Sequence, residues 1–125
     1  PRFCNRRKGN EMSKDSNGIF GKLTGKPVIV RSTVAGVHCG ILETADAASC
    51  TVILKDAYRL WEVFTRDRTG SMSDIAANGL KTPLSQHSIG ARLDSVAIVN
   101  PAGLEIAEAT QAAYESIAAA APKEA

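Results

Sequence analysis

The run Lys26-Pro27-Val28-Ile29-Val30-Arg31-Ser32-Thr33-Val34 is β-branched through its centre and bounded by Pro27 on one side and Ala35-Gly36 on the other. Val, Ile and Thr are stiff at χ1 and pack well on a pleated surface, so this run predicts a strand ending in a turn. Residues Gly36-Val37-His38-Cys39-Gly40-Ile41-Leu42-Glu43 can return against it as a hairpin partner, and Gly36 and Gly40 suggest a bulge or a close backbone approach there. After a turn at 45–49, Thr51 to Tyr58 reads as a third strand, and Arg59 to Thr65 either continues it or pairs as a fourth.

Helical signals come later. Ser71 and Asp74 have capping-box spacing, which predicts a short helix from Met72 to Asn78 ending at Gly79 in the left-handed C′ position. Residues 92–99 read as a further strand, 100–103 as a turn and Leu104-Glu105-Ile106 as a short strand. Thr110 can cap a final helix over Gln111 to Ala120, favoured by its alanines. The class is therefore α+β and mainly antiparallel β: a small sheet with one inserted helix and one C-terminal helix.

A chain of 125 residues is expected to be one domain. Residues 1–26 hold seven basic residues against Glu11 and Asp15, net +5, leaving the rest at −3 within a total of +2. We read residues 1–24 as a flexible basic tail, because their polar composition cannot offset its own ordering entropy. Residues 25–121 are then a single β-rich ligand-binding domain. Met12-Ser13-Lys14 resembles a start, with residues 1–11 as an upstream extension. Cys4, Cys39 and Cys50 are an odd, scattered set, which points to a reducing cytoplasm rather than a disulfide scaffold. No apolar run approaches the roughly 20 residues that cross a bilayer.

Arg59 and Trp61 are two apart, so on a strand they share a face. A guanidinium beside an indole suits a flat, anionic, nucleotide-like ligand: the ring stacks on a base and the Arg pairs with phosphate. Packing of Trp61 in the core, with Arg59 along its edge, is the other reading. Gly70, Ser71 and Ser73 lead into a helix start, where exposed N–H groups hold anions or merely accept a cap. Arg31 interrupts an apolar strand and faces either a polar cleft or water. His87, in a polar loop, either stacks on a base or lies loose at the surface. His38 and Cys39 are neighbours that point to opposite faces of a strand, so they cannot chelate one ion, and no metal or cofactor is expected. No Gly-x-Ser-x-Gly elbow or Cys–His signature appears, and the chain is expected not to be an enzyme.

The order Val30-Arg31-Ser32, Ala35-Gly36-Val37 with Gly40, Ala57-Tyr58-Arg59-Leu60-Trp61 and Ser71-Met72-Ser73-Asp74-Ile75-Ala76 resembles a family of small phage and prophage proteins. Those proteins carry Val-Arg-Thr or Val-Arg-Ser, an Ala-Gly-Val-x-x-Gly hairpin, Ala-Arg-Arg-x-Trp and a Ser-Leu-Ser-Gln-Leu-Ala helix. The resemblance, over about residues 27–118, is to the Thoeris anti-defence sponges, which sequester cyclic ADP-ribose signals, some members also holding cyclic di- or trinucleotides. It implies ligand capture without degradation in the cytoplasm of an infected bacterium. It also implies phosphate contacts from Arg31 and Arg59, an anion pocket lined by Gly70, Ser71 and Ser73, and a dimer-based homo-oligomer or hexamer with shared pockets. The chain departs from the family after Trp61, where a second aromatic is replaced by Glu62-Val63-Phe64 and a longer loop. It departs again at His87-Ser88, where the family tends to carry a Phe, so that platform is lost or replaced by His87.

Two other roles fit the same residues. A virion structural or decoration protein would use the sheet to pack on a capsid lattice, and a β-rich nucleic-acid module would use the basic tail, with salt-dependent binding to polymers.

Overall fold

The computed structural model describes residues 21–62 and 72–122. Six strands form one antiparallel sheet: β1 (Pro27–Ser32), β2 (Gly36–Asp46), β3 (Thr51–Glu62), β4 (Ser88–Ile89), β5 (Leu93–Val99) and β6 (Glu105–Glu108). Among the described residues helices α1 (Met72–Asn78) and α2 (Gln111–Ala120) accompany the sheet, and the fold is α+β and mainly antiparallel β as the sequence predicts. The order across the sheet is β4-β3-β2-β1-β6, and β5 pairs with the other end of β3. The segment from Arg59 is thus a continuation of β3, and its expected extension from Val63 to Thr65 lies outside the described residues.

Both faces of the sheet are covered. Ile29, Cys39, Tyr58 and Leu60 pack beneath the helices with Ile75, Ala113 and Ile117. Val28, Val30, Leu42, Val52, Leu54 and Ala57 form a second core on the opposite face with Ile98. The sheet curls, so Val96 of β5 and Ile106 of β6, from separate edges, both pack on this second core. Asn100 fastens the curl by donating from Nδ2 to Ser32 Oγ, 2.9 Å away at the end of β1.

One irregularity decides which residues face which core. Apolar residues stand at 52, 54, 58 and 60, so unbroken alternation would bury Asp56 among them. Instead Asp56 takes a left-handed backbone, φ +50°, and the β2–β3 register shifts opposite it between Cys39 and Ile41. Asp is among the few residues that tolerate this conformation. Before the bulge Val52 and Leu54 face the second core; after it Tyr58 and Leu60 face the helices. Helix α2 pins the bulge, because Tyr114 Oη donates to the Asp56 carbonyl at 2.8 Å and its ring meets Tyr58 edge-on at 6.1 Å. Burial pushes the Tyr114 hydroxyl up to about 12, so it remains a donor throughout the neutral range.

The helix limits match the local signals. Thr110 Oγ1 accepts from the Ala113 N–H, capping α2. Gly79 ends α1 at φ +84° and lies against α2, where a Cβ would come 2.8 Å from Ser116 Oγ. Residues 21–24, expected at the end of the tail, form a turn whose Leu23 packs on the second core. The rest of the expected tail, residues 1–20, lies outside the described residues.

Candidate functional site

The bulge turns Arg59 and Trp61 away from the helices, because Tyr58 and Leu60 take the helix side and alternate residues point the other way. There the Arg59 guanidinium carbon lies 3.9 Å from the centroid of the Trp61 ring. Trp61 is 62% exposed, which answers the question left open by the sequence: it is not a core residue. Among the described residues Arg31 and Arg92 are ion-paired with carboxylates, whereas Arg59 has the indole as its partner.

Two glycines make room for this arginine. Gly36, at φ +84°, lies so close that a Cβ would stand 2.8 Å from Arg59 Nη2, and one on Gly90 would be 3.4 Å from Arg59 Cβ. The Gly90 N–H also donates to the Arg59 carbonyl at 2.7 Å, holding the backbone beside β4. Arg59 therefore runs between two side-chain-free stretches of backbone, with its head under an exposed ring.

His38 pairs with Arg59 across β2 and β3, and on the same alternation shares its face. Its side chain is buried, and Nδ1 makes no hydrogen bond. Burial and, secondarily, the Arg59 charge hold the imidazole below its ordinary pKa of 6.5. The unfolded chain therefore binds this proton more readily, so His38 contributes its full stability above about pH 6.5 and loses it as pH falls below that value toward the depressed folded pKa. Melting temperature measured from pH 7.5 to 5 should fall less steeply in His38→Gln than in the native protein. Equal slopes would contradict this assignment.

Of the other residues named from the sequence, Arg31, Ser73 and His87 do not join Arg59 and Trp61. Arg31 shares the Ile29 face of β1, under the helices, and pairs with Glu105 on β6 at 2.9 Å. Both groups of that pair are more than half exposed, so the bridge contributes at most about 1 kcal/mol. Ser73 is exposed on α1 beside a cleft of about 340 Å³ lined by Ala77, Ala107, Glu108 and Thr110. The His87 ring is buried rather than loose or offered for stacking, with Nε2 donating to the Lys81 carbonyl at 2.7 Å. Gly70 and Ser71, and with them the proposed anion cradle, lie outside the described residues.

His38 and Gly90 are what sequence reasoning missed, together with the fact that the close approach at Gly36 is to Arg59. Considering His38 only with its neighbour Cys39 concealed its cross-strand partner. A second cleft, about 240 Å³ and largely apolar, lies between Ala45, Val52, Leu104 and Ile106, with Cys50 at its rim. Among the described residues no cluster of three His, Cys, Asp or Glu side chains could hold a metal ion, and no helix is long and apolar enough to cross a membrane.

Comparison with curated proteins finds no match. A family model does match, over residues 25–117, from the turn before β1 into the last turns of α2, and so includes every part of the Arg59–Trp61 arrangement. By that match the chain belongs to the DUF6948 family, a domain of unknown function.

Proposed function

We propose that this protein is a non-catalytic binder that captures a small cyclic nucleotide, a cyclic ADP-ribose isomer or a cyclic di- or trinucleotide, and withholds it from its receptor. The observation that carries this reading is the Arg59 guanidinium, with no carboxylate partner among the described residues, stacked on an exposed Trp61. Such a pair presents an aromatic face to a base and a planar donor fork to a phosphate. The resemblance to the Thoeris anti-defence sponges supplies the biological setting: a phage protein acting in the cytoplasm of its host.

We also read it as a homo-oligomer. β5 is an edge strand among the described residues, five of its seven residues are exposed, and Leu93 and Val99 present large apolar side chains to water. A second copy is the economical cover for such an edge. The same apolar residues, together with Val34, favour the second reading, a virion structural or decoration protein.

Trp61 is the only Trp in the chain, so its fluorescence reports this site alone. Titration with cyclic ADP-ribose isomers and cyclic oligonucleotides should produce a saturable change with one of them. A flat response to all of them would overturn the sponge reading in favour of the virion role.

A further inference from the structure

Four polar residues are buried among the described residues: Ser32, His38, His87 and Asn100. Three are satisfied. Ser32 Oγ accepts from the Val34 and Ala35 N–H groups and from Asn100 Nδ2, and His87 Nε2 donates to the Lys81 carbonyl. His38 Nδ1 has no partner, and neither does the buried Nε of Arg59, the residue opposite it on β3.

Two unpaired polar atoms on directly opposed residues are uncommon in a well-packed sheet, where buried polar groups are nearly always paired. Their chemistry narrows what would pair them. Arg59 Nε is a donor only, and His38 Nδ1 becomes a donor when the ring is protonated. An anionic oxygen can accept from both, and a phosphate or pyrophosphate carries such oxygens. Trp61 lies over the guanidinium with most of its own surface in water, so a ligand would reach Arg59 past the indole.

We infer that His38 is a second anion-binding residue of this site, donating from Nδ1 to the phosphate oxygen that accepts from Arg59 Nε. The inference rests on reading the site as a nucleotide site and adds a regulation to it. Among the described residues the charged group facing His38 is Arg59 on β3; on β1 the residue opposite is Val30, and the neighbouring Ser32 is neutral and satisfied. The empty site therefore keeps the imidazole neutral, and a bound anion reverses that balance by drawing a proton from solvent onto His38. Capture is then proton-linked, tighter at lower pH.

The chain has two histidines, so imidazole NMR resonances can be followed individually, with His87 as an internal reference. Inorganic pyrophosphate is the probe, titrated from pH 8 to 5.5, with Trp61 fluorescence recording occupancy in parallel. The His38 midpoint should rise by at least about one pH unit at saturation, with His87 unmoved, and affinity should increase roughly tenfold across that shift. His38→Gln should keep the native circular dichroism, bind pyrophosphate more weakly by the Trp61 signal, and retain only the pH dependence that comes from pyrophosphate's own protonation. A Trp61 response with a stationary His38 midpoint, as expected if only water bridges the two atoms, would overturn the inference and leave the nucleotide site standing. Equal movement of both histidines would overturn it as a bulk salt effect. No response of Trp61 or His38 to pyrophosphate would overturn both the inference and the anionic reading of the site.

Discussion

Arg59→Ala should weaken capture of the cognate nucleotide by at least about 100-fold, or nearly 3 kcal/mol, without unfolding the protein. The large effect on binding follows from the loss of a charge-assisted, planar donor set in a partly desolvated site. The small effect on folding follows from what Arg59 lacks: Nε makes no hydrogen bond, and the guanidinium has no ion pair to break among the described residues. What the fold loses is the contact with Trp61, about 0.5–1 kcal/mol at an exposed site. Arg59→Lys should also bind at least about tenfold more weakly, since an ammonium keeps the charge but not the fork. Calorimetric titration with the ligand identified for the native protein, alongside thermal melts, checks both. A folded Arg59→Ala variant with native affinity would remove Arg59 from the site.

The second large effect lies at Gly40. It stands opposite the Asp56 bulge, and a Cβ there would come within 3.0 Å of Ala57 Cβ, 3.1 Å of Leu54 Cβ and 3.1 Å of the Lys55 carbonyl oxygen. Those neighbours belong to the central strand, two of the side chains are buried, and the third contact is backbone, so none can yield freely. Gly40→Val adds three carbons to this contact. The expected cost is about 3 kcal/mol, at the upper end for overpacking, and a melting temperature lower by roughly 12 °C or more. The consequence extends to the site, because the bulge sets the face on which Arg59 and Trp61 emerge. Surviving folded protein should therefore bind ligand less tightly as well. An unchanged melt, followed by circular dichroism, would contradict the role given to Gly40.

The turns and helix ends were legible because each depends on a residue with its own backbone chemistry. Gly36 and Gly79 take positive φ, and Thr110 accepts its cap bond, all at the positions expected. β4 was not legible: two residues carry no periodicity, and its position depends on Ile89 pairing with Leu60 and on the Gly90 N–H reaching Arg59. For the site, spacing alone placed Arg59 and Trp61 together, since residues two apart in a strand share a face whatever the rest of the chain does. Convergence between strands is different. It depends on register and on the bulge at Asp56, which is why Arg31 is across the sheet with Glu105 and His38 is beside Arg59. The sequence places His87 in a polar loop, stacking on a base or loose at the surface, but the turn at Leu84–Gln86 folds its ring inward onto Lys81.

The measurement that tests capture most directly is native mass spectrometry of the protein mixed with cyclic ADP-ribose isomers and cyclic di- and trinucleotides. It reports subunit number and bound mass together. The account predicts a discrete oligomer that retains one of these ligands and releases it chemically intact on denaturation. An assembly that retains none of them, or one that returns a cleaved product, would contradict it.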